Sequence, residues 1–213
     1  MSAQIKFVYF DIGGVAILDF SGTNKWEKLQ EELGIPPERS KEFREFWKIY
    51  GKEICLDRDI ESLLPLIKSQ FGVKLPQQYS LLKNGFVNRF EINHSIGPVI
   101  KEIHKSCRVG LLTNMYLNMF EAIKEKDILP SVSWDVIVDS SKVKLEKPDP
   151  KIYILAEQLS RCHGKEILFV ENTPKHIEAA SQFNWKTFLY DPTHSEESSQ
   201  KLAQYFSSLI KQS

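Results

Sequence analysis

Four short stretches of the chain set reactive side chains where apolar runs break off. Asp11 ends the run of residues 5–10 and is followed at once by Gly13 and Gly14. Thr113 and Asn114 end the run of residues 109–112, and Glu171 and Asn172 end that of residues 167–170. Lys147 stands directly before Pro148-Asp149-Pro150. These stretches supply a carboxylate nucleophile, a hydroxyl and backbone amides for an anion, a cation and a second carboxylate. A carboxylate can attack phosphorus to give an acyl phosphate once a cation and donors neutralise the phosphoryl oxygens. Mg²⁺ suits such a place, because it takes hard oxygen ligands and keeps several waters. Taken alone, Asp11 has a plainer reading, a cap on a tight turn after a strand. Its company points to phosphoryl chemistry.

Such groups meet only if the elements beneath them bring several chain ends to one edge. Residues 5–10 are β-branched and aromatic apart from Lys6, as a buried strand requires. Gly13 and Gly14 mark a turn that needs positive φ or close approach to another group. Residues 109–112, 135–138, 167–170 and 185–190 read as further strands. Residues 96–105, 117–126, 151–159, 174–183 and 195–211 read as the helices between and after them. Ser95 caps the first of these, and Asp149-Pro150 and Thr173-Pro174 place a cap and a proline at two later helix starts. Short apolar strands alternating with helices predict an α/β fold, a doubly wound parallel sheet that binds ligands beyond its strand ends.

Residues 20–93 break that alternation. Apolar stripes at helical spacing predict helices over 26–33, over 38–50 with a stop at Gly51, over 60–71 from an Asp59 cap, and onward from Pro76. The expected organisation is a core of 1–19 and 94–213 with a helical cap at 20–93. Phe43, Phe46, Trp47, Phe86 and Phe90 read as the packing of a small bundle rather than a cofactor box. Some of them would face a substrate if the bundle covers a site.

Bulk composition narrows the partners. Lys plus Arg and Asp plus Glu are both 28, so formal net charge is zero, and no basic block stands out. That argues against nucleic acid or an anionic membrane surface as the main partner. No window approaches the roughly 18 apolar residues of a membrane span. Three widely spaced cysteines, Cys55, Cys107 and Cys162, suit a reduced, cytoplasmic setting without a disulfide framework or zinc site. The amino terminus enters the first strand without a secretory pattern, so the sequon at Asn93-His94-Ser95 carries no weight. The five histidines show no ligand spacing, and nothing in the sequence reads out an oligomeric state.

The four stretches form ordered motifs: Phe10-Asp11-Ile12-Gly13-Gly14-Val15, Leu111-Leu112-Thr113-Asn114, Lys147-Pro148-Asp149-Pro150 and Phe169-Val170-Glu171-Asn172. Over essentially its whole length the chain resembles the haloacid dehalogenase superfamily, with a helical cap after the first strand of a Rossmann-like core. Within it, the chain is similar to small phosphatases whose first motif reads Asp-x-Gly-Asn/Gly-Val, such as α-D-glucose-1-phosphate phosphatases and the amino-terminal domains of epoxide hydrolases. The resemblance implies a Mg²⁺-dependent phosphohydrolase of a small phosphorylated metabolite that works through an aspartyl-phosphate. It implies Asp11 as nucleophile and metal ligand, with the Gly13 carbonyl as a second ligand. Thr113 and Asn114 would hold the phosphoryl group, Lys147 would bridge it to Asp11, and Glu171 would stand for the metal-binding aspartate, with Asn172 beside it.

Two positions depart from the family pattern. Most of its phosphatases carry a second aspartate two residues after the nucleophile, where this chain has Gly13. General acid–base help is worth roughly 10²–10⁴-fold, so its absence weighs most on poor leaving groups. Asp19 or His176 could substitute, each having a plainer reading as a surface or capping residue. The fourth motif is usually Asp-Asp, and Asn172 removes one charge that would favour Mg²⁺. These departures keep a second reading open: a protein that binds a phosphorylated ligand or a partner without turnover. Dehalogenation fits less well, because the family's dehalogenases have an aromatic residue and Thr where Gly13 and Val15 stand.

Overall fold

A computed structural model describes residues 4–211. Its strands are β1 (Phe7–Phe10), β2 (Ile17–Leu18), β3 (Glu91–Ile92), β4 (Arg108–Thr113), β5 (Val136–Asp139), β6 (Ile167–Glu171) and β7 (Lys186–Leu189). Its helices are α1 (Lys25–Glu32), α2 (Ser40–Ile54), α3 (Leu64–Phe71), α4 (Ile96–His104), α5 (Met119–Glu125), α6 (Ser140–Val143), α7 (Pro150–Ser160), α8 (Pro174–Gln182) and α9 (Ser195–Lys211). Five strands form a parallel sheet in the order β5-β4-β1-β6-β7, with β1 in the middle. The α/β class and doubly wound sheet expected from the sequence are therefore what the chain adopts.

Side-chain alternation on β1 splits the interior into two layers. Phe7 and Tyr9 face a cluster with Ile152, Tyr153 and Ala156 of α7 and Trp185. Val8 and Phe10 face a larger cluster that takes in Ile100 of α4, Leu202 of α9 and the aromatic residues of α2. The Tyr9 hydroxyl donates to the Ala156 carbonyl at 2.8 Å, and that of Tyr153 to the His176 carbonyl at 3.1 Å. These two bonds lock α7 to β1 and to α8, which fixes the strand ends that carry the polar residues.

Between β1 and β4 the chain leaves the sheet. β2 and β3 pair antiparallel and bring the outgoing and returning strands of this excursion side by side. Buried Asn93 donates to the Val15 carbonyl at 2.7 Å and contacts the Tyr190 hydroxyl at 3.0 Å, tying that stem to the sheet. The sequon asparagine is thus consumed by the fold. Helices α1, α2 and α3 follow, then a π-helical turn over Leu81–Phe86. The Lys126 ammonium donates to the carbonyls of Val87, Asn88 and Phe90 at 3.0, 2.9 and 2.6 Å, and so anchors the returning limb against the end of α5.

Several local expectations change. Gly51 does not stop α2, which runs through it to Ile54, because a glycine with αR dihedrals costs a helix stability without breaking it. The fourth helical segment starts at Ser80 rather than Pro76. The Glu61 carboxylate accepts from Ser80 Oγ, Leu81 N and Leu82 N at 2.6, 2.8 and 3.0 Å, a long-range cap that local propensity does not encode. Ser95 makes no cap on α4; its hydroxyl donates to Asn93 Oδ1 at 2.8 Å. Among the described residues no helix is long and apolar enough to cross a membrane.

Two glycine substitutions test this packing in opposite directions. A Cβ on Gly110 would lie 2.6 Å from the Val136 carbonyl oxygen and 2.9 Å from the Phe7 ring, with no slack in either. Gly110→Ala should therefore lower stability by about 1–3 kcal/mol. A Cβ on Gly51 meets nothing within 4 Å. Gly51→Ala should raise stability by about 0.5–1 kcal/mol through helix propensity. Urea denaturation midpoints of the two variants measure both.

Candidate active site

The ladder sets the geometry before any side chain is considered. Phe10 lies opposite Leu111 on one side and Val170 on the other, and the Asp11 amide continues the ladder to the Val170 carbonyl at 2.9 Å. Asp11 is thereby held at the carboxyl end of the central strand, level with Glu171 and beside Thr113. This is where an open parallel sheet binds ligands.

Lys147 reaches this edge from the segment between β5 and α7. Its ammonium lies 3.0 Å from Asp11 Oδ1 and 2.6 Å from Glu171 Oε2, and its side chain is 0% exposed. The Asn114 side chain holds the Lys147 backbone on both sides, accepting from its N–H at 2.8 Å and donating to its carbonyl at 2.9 Å. The sequence reading gives Asn114 to the phosphoryl group. The structure shows its side-chain amide spent on positioning Lys147.

Two buried carboxylates share this one ammonium, and they share it unequally. Burial and the charge of Glu171 push Asp11 up to about 7, against the pull of Lys147 and a hydrogen bond from Thr113. Burial also opposes ionisation of Glu171, but Lys147 and His176 outweigh it and hold that carboxyl well below the usual range. Asp11 is thus the carboxylate short of positive charge.

Glu171 faces inward. Its Oε1 accepts from the amides of Asn172 and Thr173, both at 2.9 Å, and its Oε2 from Lys147 and from His176 Nδ1 at 3.1 Å. It lies off the wall of the cavity that opens over Asp11, whereas its neighbour Asn172 lines that wall. His176 is buried behind Glu171 and is neither a surface nor a capping residue.

The cavity has a volume of about 230 Å³. Asp11, Gly13, Thr113, Asn114 and Asn172 give it a polar wall, and Trp26, Phe86 and Phe90 an apolar one. The two glycines after Asp11 each admit a polar side chain from elsewhere. A Cβ on Gly14, whose φ is +74°, would collide with Asn172 Nδ2. A Cβ on Gly13 would collide with Asp19 Oδ2. Asp19 is half-buried on the cavity wall while its Oδ1 accepts from the Ser21 amide at 2.8 Å. Its proximity to Gly13 is the feature that sequence reasoning did not find. The available signals were Gly13 itself and the fact that Asp19 is the one acidic residue between Asp11 and Glu27.

Among the described residues no three His, Cys, Asp or Glu side chains gather as a metal cluster. The oxygen donors bordering the cavity include the Asp11 carboxylate, the backbone of Gly13 and the Asn172 amide, with the Asp19 carboxylate beside Gly13. Carboxylate and neutral oxygens suit a hard cation that keeps its own waters, and suit no soft metal. The incomplete neutralisation of Asp11 favours such a cation at that edge.

Known proteins share this fold. A family model described as haloacid dehalogenase-like hydrolase matches residues 5–184. Bifunctional epoxide hydrolase 2 of Sus scrofa is 21% identical over 210 residues, a match that covers 89% of this chain and 37% of that protein. The chain thus spans little more than a third of that relative. Among solved structures, a haloacid dehalogenase family enzyme of Bacteroides thetaiotaomicron, in complex with magnesium and inorganic phosphate, superposes with a TM-score of 0.70 at 14% identity. That superposition covers 88% of this chain and 94% of the other. An L-2-haloacid dehalogenase from Xanthobacter autotrophicus gives a TM-score of 0.63 at 18% identity, covering 88% and 78%. At these identities the likeness to the solved structures is one of fold.

Removing the ammonium tests the electrostatics. Lys147→Met should cost roughly 3–5 kcal/mol, because two buried carboxylates lose their counter-charge. In the native chain Glu171 has a depressed pKa, so its contribution is present above the unfolded carboxylate pKa and fades only as pH falls towards about 2. In the variant both carboxyls are raised above their unfolded values, so the loss should be smallest near pH 5 and grow towards pH 8. Metal-free urea denaturation at the two pH values reads this. An equal loss at both would show that Lys147 acts by packing alone.

Proposed function

The chain belongs to the haloacid dehalogenase-like hydrolases, and we propose that it is a Mg²⁺-dependent phosphohydrolase acting through an aspartyl-phosphate on Asp11. The observation that carries this reading is Asp11 itself, held on the cavity wall by a fully buried Lys147 at 3.0 Å. A carboxylate fixed in that way is an oriented nucleophile, and the ammonium beside it attracts the phosphoryl oxygens.

Thr113 donates its hydroxyl to the bound phosphoryl group, and Asn114 keeps the backbone around Lys147 in register with it. Mg²⁺, held by the Asp11 carboxylate, the Gly13 carbonyl and the Asn172 amide oxygen, would supply charge neutralisation at the phosphoryl oxygens. The Bacteroides enzyme of the same fold, in complex with magnesium and inorganic phosphate, supports that use. With one carboxylate in the set, the cation would be held weakly.

The substrate is a small phosphorylated metabolite. A cavity of about 230 Å³ accommodates a phosphoryl group and a compact leaving group. Trp26, Phe86 and Phe90 on its apolar wall all come from residues 20–93, which makes this helical excursion the cap that selects the leaving group. Three free thiols, with Cys55 and Cys107 pushed up to about 12 by burial, suit a protein of the reducing cytoplasm.

Phosphate release from a panel of sugar, nucleotide and acyl phosphates, with Mg²⁺ and with excess chelator, tests the reading. Release should require Mg²⁺ and fall to background in Asp11→Asn. Hydrolysis that persists in that variant or in chelator would overturn it. Phosphate binding without release from any ester would favour a ligand-binding protein instead.

A further inference from the structure

Of the residues lining the cavity, two carry carboxylates, Asp11 and Asp19. Asp11 is committed to Lys147, whereas Lys25, the basic residue nearest Asp19 in sequence, pairs with Glu91 at 2.9 Å. Asp19 is therefore a carboxyl group on the wall of the reaction chamber that forms no ion pair among the described residues.

Its placement is built by the stem of the helical excursion. Ile17 and Leu18 are paired with Ile92 and Glu91 in the β2–β3 ribbon, which fixes the backbone up to Asp19. Phe20 is buried among Trp26 and Phe86, at ring separations of 4.8 and 5.1 Å, which fixes the backbone after it. The Ser21 amide holds Oδ1 at 2.8 Å and turns Oδ2 towards Gly13. A Cβ built on Gly13 would meet Oδ2 first and lie 3.1 Å from Cγ. The gap to Oδ2 matches the separation, within any aspartate, between Cβ and its own carboxylate oxygens. Asp19 thus delivers a carboxylate oxygen to the space that an acidic side chain at position 13 would fill.

We propose that Asp19 is the general acid and base of the reaction at Asp11. This rests on the phosphohydrolase reading. In the first step the Asp11 carboxylate attacks phosphorus, the P–O bond to the leaving group breaks, and Asp19 gives its proton to the departing oxygen. An alcohol leaves, with phosphate esterified to Asp11 and Asp19 ionised. In the second step the Asp19 carboxylate takes a proton from water as the water oxygen attacks phosphorus. The P–O bond to Asp11 breaks, orthophosphate leaves, and Asp11 and Asp19 return to their starting protonation. Gly13 is then a requirement of the site rather than a loss, because any side chain there would expel Asp19.

The test is kcat/KM, which reports the first step, on a series of phosphate monoesters of graded leaving-group pKa. Asp19→Asn should lose roughly 10²–10⁴-fold on alkyl phosphates and little on acyl or nitrophenyl phosphates. With the good leaving groups, acid-quenched Asp19→Asn should carry trapped phosphate on Asp11, since the second step then lacks its base. Gly13→Asp in the Asp19→Ala background should regain activity on alkyl esters. A uniform loss across the series, or no loss, overturns the acid–base role while leaving the phosphohydrolase reading intact. Native protein and Asp11→Asn giving the same phosphate release overturns both.

Discussion

An ammonium cannot stay ionised away from water unless opposite charges surround it, and Lys147 meets that condition through Asp11 and Glu171. Much of the edge of the sheet follows from satisfying this one group. Glu171 must be turned inward, so the first two backbone amides after β6 and His176 are spent on its oxygens. Asn114 must give up its side chain to the Lys147 backbone. Asp11 is left with the smaller share of the positive charge, on the wall of a cavity, where a carboxylate short of neutralisation is a nucleophile in want of a cation. The fold's electrostatic deficit and its chemistry are one fact.

The second constraint is space. Just after Asp11 the backbone at Gly13 and Gly14 runs so close to two incoming side chains that a Cβ on either glycine would displace one of them. Asn172 leans over Gly14 and Asp19 over Gly13, from a strand end and from the stem of the helical excursion. Chain segments distant in sequence thereby place their polar groups around a single reactive oxygen. Across the cavity the excursion adds aromatic rings, so the chamber has one face for charge and one for hydrocarbon.

Much of this was legible in the amino-acid order, and the limits have physical causes. The parallel sheet could be read because its three central strands are buried on both faces and so appear as apolar runs. The ends of those runs gave the positions of Asp11, Thr113 and Glu171. Two-residue strands such as β2 and β3 have too few residues to show a period, and the cap that Glu61 lays on the turn at Ser80 acts across a gap in sequence. A glycine shows that something approaches the backbone without showing what approaches, so Gly13 read as a missing group. The inward turn of Glu171 and the exposure of Asn172 depended on where Lys147 sits, which no local pattern records.

The larger apolar cluster has a bearing on how the molecule comes apart. It runs without a break from Ile5 and Val8 at the sheet, through Phe20 and Phe86, to Phe43 and Phe71 in the helical excursion. A sheet and helices that share one interior are coupled, because loosening one side exposes apolar surface of the other. Destabilising the helical excursion is accordingly felt in the sheet as well.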